Sequence, residues 1–270
     1  MIEDNVLIGF LLTLIAGLST GIGSFIAFFT KRSNKTFIAV ALGFSAGVMI
    51  YISFMELLPD GIDSLSVIHG EKIGTLYALI AFFSGVLFIA IIDKLVPEKE
   101  NPHEIKAVEE MANMPKKSKT DNNLYRIGIF TAIALAIHNF PEGIVTMLSA
   151  MKDLKIAIPI TIAVAIHNIP EGISVSVPIY YATGSKKKAF WLSFLSGLAE
   201  PLGAIIGYFI IAPFITESTF GIIFAVIAGI MVYIAFDELL PAAEKYGKHH
   251  QVIYGLILGM AVIATSFLII

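Results

Sequence analysis

Ala136-Ile-His-Asn-Phe-Pro-Glu-Gly-Ile144 and Ala165-Ile-His-Asn-Ile-Pro-Glu-Gly-Ile173 are one nine-residue phrase written twice, with Phe140 against Ile169 as the single difference. Each copy lies inside a run of mostly apolar residues at least as long as the roughly 20 that a helix needs to cross a hydrocarbon core about 30 Å thick. Within each copy the histidine and glutamate are four residues apart, His138 with Glu142 and His167 with Glu171, so on a helix each pair shares one face. An ionised carboxylate at mid-bilayer costs roughly 2.5–3.5 kcal/mol. These two pairs are therefore the least expected and most informative residues in the chain.

Outward from them the sequence stays apolar. Of 270 residues 57% are hydrophobic and 14% charged, with a mean hydropathy of +0.84, whereas a soluble domain carries about 25% charge. Eight candidate spans follow: Val6–Thr30, Thr36–Leu58, Ile73–Val96, Tyr125–Ala150, Ile156–Ala182, Ala189–Pro213, Thr219–Leu240 and Val252–Ile270. The expected fold is an all-α integral membrane protein forming a single transmembrane domain over residues 1–270. A polar segment from Pro97 to Asn123, rich in Glu and Lys, reads as a loop with no core of its own. Glu3 and Asp4 directly before the first apolar run predict a first span there, since a cleavable signal peptide opens with basic residues. Cysteine is absent, which excludes disulfides, thiolate metal sites, iron–sulfur clusters and cysteine catalysis. A net charge of −3 leaves no basic footprint for nucleic acid.

Basic residues orient the bundle. With both termini outside, the inner loops receive Lys31, Arg32, Lys35, the lysines of 94–119, Arg126, Lys186, Lys187, Lys188, Lys245 and Lys248. Only Lys72, Lys152 and Lys155 of the 18 basic residues then remain outside. The expectation is a multi-pass protein of a prokaryotic cytoplasmic membrane, both termini external, the long loop cytoplasmic. Consecutive spans run in opposite directions, so one phrase on spans four and five implies a two-fold axis in the membrane plane. A second pair extends it: Gly47-Val-Met-Ile-Tyr-Ile-Ser-Phe-Met-Glu-Leu-Leu-Pro59 in span two resembles Gly229-Ile-Met-Val-Tyr-Ile-Ala-Phe-Asp-Glu-Leu-Leu-Pro241 in span seven. A third, Gly17-Leu-Ser-Thr-Gly-Ile-Gly23 against Gly197-Leu-Ala-Glu-Pro-Leu-Gly203, is weak enough for chance recurrence of small residues to explain. Together the pairs predict a 3+2+3 inverted-repeat arrangement of the kind secondary transporters use.

Glu142, Glu171 and Glu200 all fall near mid-span, and no Lys or Arg does. Three uncompensated carboxylates would cost on the order of 8–10 kcal/mol, so they require another cation. The histidines supply nitrogen ligands, and Asn139 and Asn168 carbonyl oxygens. Pro141 and Pro170 lack the N–H that would bond the carbonyls of Ile137 and Ile166, which predicts bent helices with freed carbonyls at the same depth. Two His, two Asn and up to three Glu form a mixed nitrogen and oxygen shell suited to Zn²⁺, with Fe²⁺, Mn²⁺, Co²⁺ and Cd²⁺ as further candidates and Cu⁺ disfavoured. The bland alternatives are helix–helix hydrogen bonding for a lone histidine and a cap on a broken helix for Glu200.

With the doubled His-Asn-x-Pro-Glu-Gly phrase and Gly-Leu-Ala-Glu-Pro-Leu-Gly on span six, nearly the whole chain resembles the Zrt/Irt-like (ZIP) metal transporters, closest to their bacterial members. The resemblance implies uptake of Zn²⁺ and related divalent ions through a two-metal centre. It also implies eight spans, external termini, a variable cytoplasmic loop and a homodimer. By position, the first metal would take His138, Glu142, His167 and Glu171; the second would take Asn139, Asn168 and Glu200, with Glu142 and Glu171 bridging. The family's loop often carries a His-rich tract, whereas this one offers only His103.

Glu56 near the outer end of span two, and Asp237 and Glu238 near the inner end of span seven, are candidate way stations. Asp60, Asp63 and Glu71 in the following outer loop read first as a solvated surface, and His249 and His250 could receive the ion inside. The pairs Gly43/Gly47, Gly203/Gly207 and Gly255/Gly259 would permit close helix contact. The expected mechanism is alternating access. A passive channel with the same ligands is the nearest rival. An intramembrane metallohydrolase is weaker, because zinc-protease helices place two His at i and i+4 with Glu beside the first, where this chain has Asn139 and Asn168.

Overall fold

The structure, a computed structural model, describes residues 2–28, 35–95 and 122–269, which are helical apart from short turns. Eight helical stretches are long and apolar enough to cross a membrane: Asn5–Ala27, Thr36–His69, Glu71–Lys94, Ala132–Lys152, Leu154–Val177, Lys186–Phe214, Glu217–Tyr246 and His249–Leu268. Of the expected polar loop, residues 97–121 lie outside the described residues, while Asn122 and Asn123 already belong to the helix Asn122–Lys152.

Where the described residues include the connection between consecutive spans, it is short. Gly70, at φ +81°, ends the helix Leu58–His69 and donates its N–H to the Ser66 carbonyl at 2.9 Å, a left-handed cap that glycine takes without a Cβ penalty. Gly184, at φ +65°, does the same for Leu154–Thr183. Asp153 caps the start of that helix by accepting from the Lys155 N–H at 2.9 Å.

The second span is longer than the sequence predicts. The stretch expected as a loop carrying Asp60 and Asp63 is the helix Leu58–His69. Pro59 sits in its first turn, where a missing N–H costs nothing, and Leu58, Ile62 and Leu65 recur at helical spacing against the protein. The join is a π-helical turn, Ser53–Leu57, carrying Glu56. Its counterpart in the repeated segment of span seven is the π-turn Ala235–Leu239, carrying Asp237 and Glu238. Pro141 and Pro170, expected to bend their helices, lie in α-helix that runs unbroken through both. Span six is the interrupted one: Leu198 separates Lys186–Gly197 from Ala199–Ile206.

Span two packs against span eight, three against seven, one against five, and four against six, with four and five also in contact. Glycines make these crossings close. A Cβ on Gly47 would collide with the Leu256 carbonyl and one on Gly259 with that of Phe44; Gly85 meets Val226 and Gly229 meets Phe82 in the same way. Around the centre, Gly23 abuts the Ile169 carbonyl and Gly203 that of Phe140, while Gly172 abuts Thr20 and Gly143 abuts Glu200. The largest apolar core joins residues of spans two, four, five and seven, including Met49, Leu148, Val164, Phe224 and Ile234.

Candidate metal centre

His138, Asn139 and Glu142 project from the fourth span, His167, Asn168 and Glu171 from the fifth, and Glu200 from the sixth. All seven are at most 2% exposed. The i, i+4 spacing puts His138 Nε2 3.5 Å from Glu142 Oε1. The crossing of the two helices then brings His138 Nε2 to 3.3 Å from Glu171 Oε1 and His167 Nε2 to 3.2 Å from Glu142 Oε1. His138, Glu142 and His167 each offer one ligand atom, all within 4.8 Å of one another. Ligands held at about 2.0–2.1 Å in a tetrahedron stand about 3.3 Å apart, so these separations are those of groups that could share one metal ion.

The amides are anchored through their nitrogens. Asn139 Nδ2 donates to the Ser196 carbonyl at 3.4 Å, and Asn168 Nδ2 to the Ala16 carbonyl at 3.0 Å and to Glu200 Oε1. That leaves both Oδ1 atoms buried and without a partner, as acceptors facing a centre already rich in acceptors. Among the described residues, neither Oδ1, nor Glu200 Oε2, nor Glu171 Oε2 meets a hydrogen-bond donor. Buried oxygens so arranged are costly unless a cation or water meets them. Glu200 stands in the first turn of the helix Ala199–Ile206, whose N-cap Leu198 makes no side-chain cap bond. Its carboxylate is bonded by Asn168 of the fifth span.

The other sequence candidates stand apart. Glu56 and Glu238 are half-buried and Asp237 exposed, all on the π-turns of spans two and seven. Asp60 pairs with Lys152 at 3.1 Å, and His249 Nδ1 with Glu244 at 2.8 Å on an exposed surface. Hydroxyls that carry no motif also support the centre. Ser45 Oγ donates to the His167 carbonyl at 3.4 Å, and Ser193 and Ser24 both donate to the Gly172 carbonyl, at 3.1 and 3.3 Å, beside Glu171.

Seven such side chains closed off inside eight membrane-crossing helices define a multi-pass membrane protein built around an ionisable centre. Comparison with known proteins gives its kind: the family model described as ZIP Zinc transporter matches residues 5–266, and the chain belongs to that family. A Streptococcus mutans protein named zinc transporter ZupT is 60% identical over 267 residues, 99% of this chain and 99% of that protein. Proteins of the same name from Clostridium perfringens and Lysinibacillus sphaericus are 57% and 55% identical, each alignment covering at least 97% of both chains. The family is one of transporters, so the metallohydrolase reading falls away.

Proposed function

We propose that the protein carries Zn²⁺, and with it other divalent ions such as Fe²⁺, Mn²⁺, Co²⁺ and Cd²⁺, across the bacterial cytoplasmic membrane into the cell. The observation that carries this reading is the closed cluster of His138, Glu142 and His167, whose ligand atoms lie within 4.8 Å of one another, with Glu171 3.3 Å from His138, in a bundle whose middle offers no Lys or Arg to balance it. His138, Glu142, His167 and Glu171 hold one ion. Asn139, Asn168 and Glu200 hold a second, with Glu142 and Glu171 between them; the free Asn oxygens and Glu200 Oε2 support that division. Glu56 on the outer side and Asp237 and Glu238 on the inner are way stations. Both termini face outward, as the lysine cluster 186–188 on one side and the sparse Lys72, Lys152 and Lys155 on the other favour, and the protein works as a homodimer.

The mechanism is alternating access on a 3+2+3 inverted repeat. Two sets of contacts support the repeat: Asn139 bonds Ser196 as Asn168 bonds Ala16, and Gly23 abuts Ile169 as Gly203 abuts Phe140. Two unequal cavities support the motion. Pro141, Ile144 and Ile223 line an apolar crevice of about 610 Å³ beside span four. Their repeat equivalents Pro170, Ile173 and Ala41 line one of about 20 Å³ beside span five. Equivalent faces open on one side and shut on the other are what one half of a rocking cycle requires. An inside-negative potential favours entry of a divalent ion by about 4.6 kcal/mol per 100 mV.

Glu142→Ala should abolish zinc uptake into proteoliposomes while the protein remains inserted and folded; unimpaired uptake would remove the site assignment. Zinc counterflow by the unaltered protein separates carrier from channel, since a passive pore cannot drive labelled ion against its gradient.

A further inference from the structure

On the fourth span the face that carries His138 and Glu142 continues toward the turn at Asp153 through Thr146, Ser149 and Lys152, at steps of four and three residues. Thr146 and Ser149 are completely buried, and neither hydroxyl has a hydrogen-bond partner. A buried serine or threonine in an apolar helix ordinarily turns its hydroxyl back onto a carbonyl of the preceding turn. Other buried hydroxyls of this protein do so: Thr161 bonds the Ala157 carbonyl at 2.7 Å, Ser53 that of Met49 at 2.7 Å, and Thr13 that of Phe10 at 3.0 Å. Thr146 and Ser149 leave that option unused, one and two turns from Glu142. The adjoining face of the same helix is ordinary packing, with Met147 and Ala150 against Gly9 of the first span. Where the hydroxyl face meets the surface, Lys152 Nζ pairs with Asp60 at 3.1 Å and lies 4.5 Å from the centre of the Phe220 ring.

We propose that the Thr146 and Ser149 hydroxyls form the leg of the cation's route between the Lys152 end of the bundle and the His/Glu centre, taking the place of water ligands as a divalent ion sheds its hydration shell. This rests on the transport reading above. It adds two residues that no ionisable motif marks. Oxygen donors that are neutral and singly spaced suit a passing ion: they bind it well enough to replace water and too weakly to hold it, leaving retention to the carboxylates and imidazoles below.

The absence of cysteine makes the test clean. In full-length protein reconstituted in liposomes, Thr146→Cys and Ser149→Cys should react with a cationic, membrane-impermeant methanethiosulfonate added outside, and Zn²⁺ should slow that reaction. Met147→Cys and Ala150→Cys should stay unreactive. The double variant Thr146→Val/Ser149→Ala should keep equilibrium zinc binding and lower the saturated uptake rate about fivefold to tenfold, the scale of one lost hydrogen-bonding partner, with Thr146→Ser restoring the rate. The leg is overturned if thiols at 146 and 149 react no faster than those at 147 and 150. It is equally overturned if zinc, while binding the unaltered protein, gives them no protection, or if the double variant transports at the normal rate. Should the unaltered protein bind no zinc at all, the transport reading falls and takes this one with it.

Discussion

Asn168 ties the centre to two other spans, bonded at once to the first through Ala16 and to the sixth through Glu200. It helps set where Glu200 points, and so, in the proposed two-ion division, where the second ion would be held. Glu200→Gln keeps the shape and can still accept from Asn168 while removing the charge. It should leave one zinc equivalent bound tightly and weaken the other, read as loss of a binding step in titration calorimetry. Loss of both steps would place Glu200 among the ligands of the first ion. The polar members of this centre were legible in the sequence because His, Asn and Glu are unexpected in an apolar run. Ser45, Ser193 and Ser24 were not legible. Small hydroxyls are unremarkable in spans, where they satisfy themselves on their own helix as Ser45 and Ser24 do, and only the tertiary contacts show that Ser45, Ser193 and Ser24 also reach the carbonyls of His167 and Gly172.

Among the elements, the glycine crossings decide how close the spans come. Gly47 and Gly259 bring spans two and eight to backbone contact from both sides, and a single added methyl has nowhere to go because the obstacle is a carbonyl rather than a flexible side chain. Gly47→Ala should therefore cost about 1–3 kcal/mol, visible as a lower melting temperature in detergent, with zinc binding retained by the protein that remains folded. The helix Leu58–His69 shows where local reading fails in the other direction. Pro59, Asp60, Gly61 and Asp63 have the composition of a turn, but its apolar residues keep helical spacing, and the π-turn before it absorbs the proline. Pro141 and Pro170 are accommodated without a π-turn, inside α-helix that runs unbroken through both, as spanning helices within a bundle tolerate.

For the molecule as a whole, the paired phrases carried more than their own residues. The faint likeness of Gly17–Gly23 to Gly197–Gly203, too weak to argue from alone, coincides with matching contacts in the structure, Gly17 against the Gly197 carbonyl and Gly197 against that of Gly17. If equivalent crevices open and shut in turn, fastening the closed one must stop the cycle. Ala41 and Ser174 face the same small cavity between spans two and five. Cysteines at both, joined by a short bifunctional thiol reagent, should arrest zinc uptake, with recovery on cleavage of the link; continued uptake by fully linked protein would argue for a static pore. The seam between spans two and eight also sets a timetable. The carbonyls of Val252 and Leu256 that lie against Gly43 and Gly47 are specified some 200 residues later in the chain. At roughly 5–20 residues per second, synthesis leaves that groove facing lipid or the insertion machinery for about 10–40 s. The nascent second span must wait, bare along its glycines, for the eighth to be made, so the newborn protein exposes Gly43 and Gly47 at a seam where the finished one buries both.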